Sequence, residues 1–147
     1  MVMDKLSIIV RYGHIFLERK LKDYNLGFSE QIILMYLAKE SNINQDAIAK
    51  HYMLDKGAIA KTVTKLEGKN LIKRVQNPDN RRENLLALSP QGAAIIDYLS
   101  TGLEEWNNTI YKGLTDEDIK ELHRITNIMI SNVTESIEGG NYGHNKN

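Results

Sequence analysis

Between residues 44 and 69 the sequence has room for two short helices set almost end to end, and this limits the fold more than any other feature. Asn44 is a residue type that caps helix starts, and Gln45 to about His51 then turns Ile48 and Ala49 inward. Tyr52-Met53-Leu54 is short enough to be only a tight connection. Asp55 caps the next helix, Lys56 to about Lys69, in which Ile59, Val63 and Leu66 recur at helical spacing. Asn70 follows, and asparagine tolerates the left-handed conformation that helix ends adopt. Two helices joined by a few residues have the spacing of a helix-turn-helix.

The flanking segments follow from similar signals. Leu71-Ile72-Lys73-Arg74-Val75-Gln76 and Asn84-Leu85-Leu86-Ala87-Leu88 read as strands around the polar tip Asn77-Pro78-Asp79-Asn80-Arg81-Arg82-Glu83. Ser89-Pro90 starts a long helix, with serine as cap and proline at the first position. That helix runs to about Lys112 through Ala94, Ile95, Tyr98, Leu99, Leu103, Trp106 and Ile110. Thr115 and the acidic run Asp116-Glu117-Asp118 open the last helix, striped by Leu122, Ile125, Ile128, Met129 and Val133. Near the start, apolar positions 6, 9, 10, 16, 17 and 21 predict a helix to residue 24, broken by Asn25-Leu26-Gly27. Ser29 is the expected cap of the second helix, with Phe28 stapled on Ile33, and Asn42-Ile43-Asn44 is a turn. The expected order is H-H-H-H-E-E-H-H, a mainly α class with too few strands for a sheet-based core. The expected organisation is one unit over residues 1–137 with a flexible tail at 138–147, where no apolar period survives.

Overall charge is zero, from 19 Lys and Arg against 19 Asp and Glu. The distribution is uneven. Residues 42–92 hold nine of the cations and five of the acids, so that segment carries +4 and the remainder −4. A basic module in an acidic frame suits phosphate attraction, although a solvated face explains the charge alone equally well. The chain has no cysteine, which rules out disulfides, thiolate metal sites and a thiol switch. No apolar run approaches a membrane span and the first residues carry no secretory pattern, so a cytoplasmic location is expected. His14, His51, His123 and His144 lack partners at metal-ligand spacing, and neither a phosphate loop nor a nucleophile elbow occurs. No metal, no cofactor and no enzymatic constellation are therefore expected.

The outer face of the fourth helix presents Lys56, Lys61, Thr62, Thr64 and Lys65. Lysine and threonine bond phosphates and base edges, and small residues such as Ala58 and Ala60 let the backbone come close. Arg81 and Arg82 at the hairpin tip have the reach for a neighbouring minor groove, with Asp79 placed to orient the Arg81 guanidinium. A basic helix and a basic hairpin in the same forty-odd residues are harder to explain as accident than either one.

In these residues the chain resembles the winged helix of the multiple-antibiotic-resistance regulator (MarR) family. The resemblance is carried by Asp55-Lys56, by the run Lys65-Leu66-Glu67-Gly68-Lys69-Asn70-Leu71-Ile72-Lys73-Arg74, by Asn77-Pro78-Asp79-Asn80-Arg81-Arg82 and by Leu88-Ser89-Pro90-Gln91-Gly92. Gly57 departs from the serine or threonine more usual there, and Asn70 from the usual glycine. The resemblance implies a winged helix at about 29–92 and dimerisation helices at about 4–24 and 90–137. It also implies a homodimer that reads a pseudo-palindromic operator in double-stranded DNA, most often as a repressor released by a small effector. The DNA-binding set expected on residues and resemblance together is Lys56, Ala58, Ile59, Lys61, Thr62, Thr64, Lys65, Arg74, Asp79, Arg81 and Arg82. Tyr12, His14, Phe16 and Tyr36 are the expected lining of a pocket for an aromatic or phenolic effector. The rival expectation is a winged-helix protein-interaction or small-molecule sensor module without specific DNA binding.

Overall fold

A computed structural model of the chain describes residues 1–139, so the expected tail lies, from residue 140 on, outside the described residues. By its internal contacts the chain forms two compact units, Met1–Asn107 and Asn108–Asn147.

In the first unit, α1 (Val2–Lys20) gives way to a 3-10 turn at Lys22–Tyr24, so the helix ends earlier than its periodicity predicts. Tyr24 and Asn25 donate to carbonyls three residues back, at 3.0 and 3.2 Å, which tightens the chain until Asn25 turns left-handed at φ 51°. α2 (Phe28–Lys39) starts one residue before the expected cap. Gly27 is the N-cap, because Glu30 at N3 reaches back to the Gly27 N–H at 3.2 Å and is itself held by Lys69 at 2.6 Å. Ser29 stays exposed on the first turn.

α3 (Gln45–Tyr52) and α4 (Lys56–Gly68) have the expected caps. Asn44 Oδ1 accepts from the Ala47 N–H at 2.7 Å and Asp55 Oδ2 from the Ala58 N–H at 3.0 Å. Between them Met53 turns left-handed, φ 51°, and Leu54 N–H closes on Ala49 O at 2.9 Å. The end of α4 repeats that geometry. Asn70 is left-handed at φ 55°, its N–H bonds Glu67 O at 2.9 Å, and Leu71 N–H bonds Leu66 O at 3.0 Å. The chain thus leaves α4 already aimed into a strand.

β1 (Ile72–Gln76) and β2 (Asn84–Leu88) pair antiparallel, Ile72 opposite Leu88 and Gln76 opposite Asn84. The segment read as a plain turn does more, because Ile43 bridges to Leu86 and its carbonyl accepts the Leu86 N–H at 2.7 Å. The long helix expected from Pro90 is divided into α5 (Pro90–Ala94) and α6 (Ile96–Ile110). The ladder tightens at Ile95, whose N–H bonds Gly92 O at 3.3 Å, three residues back. The Ser89 cap and Pro90 at the first position are as expected, with Gly92 N–H on Ser89 Oγ at 2.9 Å.

Leu21, Ile33, Leu34, Ile48, Val63, Leu66 and Leu86 are the largest fully buried side chains, drawn from the end of α1, from α2, α3 and α4, and from β2. Burying one such side chain stabilises by about 1.5–3 kcal/mol. α1 is tied to α6 by Lys20 on Glu105 at 2.6 Å and by the buried Gly13 against the Trp106 ring. The fold is the expected one, a mainly helical winged helix with a two-stranded sheet.

The second unit holds the end of α6 and α7 (Asp116–Gly139). Thr115 caps α7 through the Asp118 N–H at 3.1 Å, and the Asp118 carboxylate accepts the Thr115 N–H in return at 2.9 Å. That backbone bond, with the Thr115 hydroxyl, holds the Asp118 carboxyl below the usual range. The stripe Leu122, Ile125, Ile128, Met129 and Val133 is present on α7 and is exposed.

Gly92 has a sharper requirement than its place in a short helix suggests. A Cβ built there stands 1.9 Å from the Leu71 carbonyl oxygen, the same oxygen that accepts the Ser89 N–H at 3.0 Å. Gly92→Ala must therefore push α5 off the end of β1. Strain of that kind costs about 1–3 kcal/mol. Urea unfolding should show a lower midpoint at unchanged slope, and an unaltered midpoint would contradict the close approach.

Candidate nucleic-acid interface

α4 divides cleanly into two faces. Ile59, Val63 and Leu66 are 3%, 0% and 0% exposed and fix the helix to the core. Ile59 is also expected near the bases, and here the structure corrects the sequence reading. One side chain cannot both fill the core and meet a base edge, and burial decides for the core. Lys56, Ala58, Lys61, Thr64 and Lys65 are exposed, with Thr62 half-buried. The Thr62 and Thr64 hydroxyls donate to the Ala58 and Ala60 carbonyls, both at 3.0 Å. Their oxygens keep acceptor capacity for an outside donor.

The cations differ in how far they are engaged. Lys56 meets Asp46 at 3.2 Å on the open surface, a contact of little energetic weight. Arg74 is bound through Nε to Glu67 at 2.9 Å, which ties β1 to α4 and leaves its other nitrogens to donate. Lys69 is taken by Glu30 at 2.6 Å. Among the described residues no ion pair holds Lys50, Lys61, Lys65, Lys73, Arg81 or Arg82. The basic surplus of residues 42–92 is thus concentrated in side chains without an internal partner.

The wing between β1 and β2 is built by its own backbone and asparagines. Asn77 N–H bonds Glu83 O at 3.0 Å, Asp79 N–H bonds Asn77 Oδ1 at 3.0 Å, and Arg82 N–H bonds Asn80 Oδ1 at 3.2 Å. Arg81 is held at its carbonyl by Gln76 Nε2, 3.2 Å, which leaves the guanidinium outside. The expected Asp79–Arg81 pair does not form among the described residues. Asp79 instead uses its backbone to start the turn. Glu83, which the sequence reading did not single out, accepts from Asn77 Nδ2 at 2.6 Å and from Asn44 Nδ2.

The residues expected to line one effector pocket are split between two clefts. Tyr36 lines a cleft of about 360 Å³ with Gln31, Met35, Tyr52, Leu99 and Leu103. Tyr12 and Phe16 line another of about 480 Å³ with Arg19 and Trp106, and Phe16 stacks on Trp106 at 5.6 Å. His14 lines neither and lies against Phe28, ring centres 3.7 Å apart. The cause is the helical period. Residues 12 and 16 are one turn apart and share a face of α1, whereas 14 points to the opposite side.

The first cleft had a signal that the sequence reading overlooked. Phe28, Gln31, Ile32, Met35, Tyr36 and Lys39 recur at helical spacing along α2, and all line it. The rings of Tyr36, His51 and Tyr52 meet there, Tyr36 to His51 at 4.5 Å and His51 to Tyr52 at 4.7 Å. Burial, and then the neighbouring Tyr36 phenol, pushes the Tyr52 phenol above its ordinary range.

Residues 29–84 match the family described as MarR family. The chain is similar to the HTH-type transcriptional regulator BilQ of Clostridioides difficile, 27% identical over 74% of this chain and 73% of BilQ. It is similar to a crystal structure of MarR at 28% identity, with a TM-score of 0.79 and 95% of each chain covered. In fold it also matches a Listeria monocytogenes protein solved in complex with a 26mer DNA, with a TM-score of 0.90 at 20% identity and 97% of each chain covered.

The Tyr52 phenol offers a check on the first cleft. Its folded state holds the proton more tightly than the unfolded chain does, so its stability contribution is lost as pH rises through the raised folded value. In an ultraviolet titration of tyrosinate, Tyr52→Phe should remove a late step. Loss of a step in the ordinary range would mean that the ring is not desolvated.

Proposed function

This chain belongs to the MarR family, and from that premise we propose that it is a sequence-specific DNA-binding transcriptional regulator acting as a homodimer. The observation that carries this reading is the set of cations without internal partners on one winged-helix module, Lys61 and Lys65 on α4 and Arg81 and Arg82 on the wing. α4 enters a major groove, roughly 12 Å wide in B-DNA. Lys56, Ala58, Thr62 and Thr64 then lie nearest the bases, while Lys61 and Lys65 hold phosphates. Arg81 and Arg82 reach the adjacent minor groove, where the negative potential attracts arginine. Arg74 and Asp79 brace the two elements. The likeness in fold to a protein solved with a 26mer DNA supports the docking mode.

Homodimerisation is supported by apolar side chains left open to solvent. α1 exposes Ile8, Ile9, Val10 and Tyr12, and α7 exposes Leu122, Ile125, Ile128, Met129 and Val133. An exposed apolar stripe along a helix marks an interaction face, and each of these two helices carries one. A two-fold dimer reads a pseudo-palindrome with half-sites about one turn of DNA apart, roughly 34–36 Å. The mode of action proposed is repression by promoter occlusion, in the cytoplasm, by binding and not by catalysis. The release signal is a small aromatic or phenolic molecule in the Tyr36 cleft, whose volume of about 360 Å³ lies at the lower end of ordinary ligand sites.

Fluorescence anisotropy with the duplex upstream of the chain's own gene, beside a scrambled duplex, tests the reading. Binding should be salt-sensitive and prefer the native duplex. Arg81→Ala should weaken it and reduce the salt slope by about one unit. Equal weak binding to both duplexes would favour the protein-interaction or sensor reading. Ile128→Asp places a charge in the exposed stripe of α7. In light scattering it should shift the protein from dimer to monomer, and an unchanged mass would exclude that face from the interface.

A further inference from the structure

Glu83 joins the two asparagines that organise the start of α3 and the start of the wing. Asn44 caps α3 with Oδ1, which accepts the Ala47 N–H at 2.7 Å, and gives its Nδ2 hydrogen to Glu83 Oε1. Asn77 opens the wing turn with Oδ1, which accepts the Asp79 N–H at 3.0 Å, and gives its Nδ2 hydrogen to Glu83 Oε2 at 2.6 Å. Both amide orientations are fixed by chemistry, since each oxygen faces a backbone donor and each nitrogen a carboxylate oxygen. The result is an unbroken hydrogen-bonded chain, Ala47–Asn44–Glu83–Asn77–Asp79, from the first helix of the helix-turn-helix to the wing turn. It ends two residues before Arg81. A carboxyl group suits its centre, because that position must accept on both of its oxygens.

We propose that Glu83 is a positioning residue that fixes the reach of the wing relative to the helix-turn-helix, and through it the specificity of the Arg81 and Arg82 contact. The claim rests on the DNA-binding reading above. Glu83 touches no DNA in this scheme. It is half-buried at the root of the wing, whereas both arginines are exposed. α3 packs on α4, so a wing fixed to the cap of α3 keeps its tip at a set distance from the recognition face. The Ile43–Leu86 bridge, beside Asn44, holds the same junction through the backbone. A wing attached by that bridge alone would keep the fold and lose the register of its tip.

The test exploits the direction of the hydrogen bonds. Glu83→Gln keeps the shape but supplies one acceptor and one donor, so one asparagine must flip and release its backbone amide. Asn44→Asp keeps the cap but sets two carboxylates face to face. The double variant Asn44→Asp/Glu83→Gln restores every link with the first reversed. Its new side-chain amide donates to the new carboxylate at the α3 cap and still accepts from Asn77. Amide exchange followed by NMR should show Ala47 or Asp79 exchanging roughly tenfold faster in Glu83→Gln, the size of one lost hydrogen bond, and recovering in the double variant. Anisotropy should show the same pattern on the native upstream duplex, about tenfold weaker in each single variant and restored in the double, with binding to the scrambled duplex little changed. Circular dichroism of the single variants should match the parent, which separates positioning from folding. Exchange rates indifferent to Glu83→Gln, or a double variant no better than the singles, would overturn the proposal whatever the duplexes show. A parent protein without preference between duplexes would overturn the DNA-binding reading instead, and the exchange data would still decide the linkage.

Discussion

Ile59, Val63 and Leu66 anchor α4, and the outward face of the chain is set by how completely they are buried. At 3%, 0% and 0% exposure they leave the helix one rotational setting on the core. Lys61, Thr64 and Lys65 then have no choice but solvent, because a helix turns about 100° per residue and the buried positions are fixed. Rotating α4 by a quarter turn would bury a lysine without a partner, which costs several kcal/mol. The basic face therefore exists because the apolar one is satisfied. The wing depends on the same anchor, since Leu71 leaves α4 through a left-handed Asn70 that bonds back to its last turn.

The parts of this molecule legible in the sequence are those encoded within a few residues. Asn44, Asp55, Ser89 and Thr115 cap helices because a side-chain oxygen meets a backbone N–H two or three positions on, and nothing distant has to cooperate. Asn70 adopts the expected left-handed turn for the same local reason. The hairpin and its polar tip, the helix-turn-helix spacing and the apolar stripe of α7 follow from periodicity and short-range turn and cap chemistry. Family resemblance added the docking scheme, which no local rule contains.

The illegible parts depend on partners far away in sequence. Glu30 displaces Ser29 as the determinant of the α2 start because Lys69, 39 residues later, holds its carboxylate. Ile43 pairs with Leu86 across a similar separation, so a turn by composition becomes an edge of the sheet. The four aromatic residues expected in one pocket do not meet there, because aromatic character says nothing about direction. Positions 12 and 16 of α1 face one way and 14 the other. Ile59 carries two incompatible expectations, core anchor and base neighbour, and only the burial of the helix separates them.

Zero net charge does not argue against a DNA partner here. Exposed charges separated by more than about 8–10 Å are largely screened at physiological salt, so a phosphate senses the local pattern and not the sum. The acids within residues 42–92 are mostly spent internally: Asp55 on the cap of α4, Glu67 on Arg74, and Glu83 on two asparagines. Glu67 is neutralised by Arg74, and Asp55 and Glu83 are held by backbone and amide donors, while among the described residues no ion pair holds Lys61, Lys65, Arg81 or Arg82. The surplus of +4 in the segment therefore stands in exposed cations open to a ligand, while three of its five carboxylates hold the scaffold.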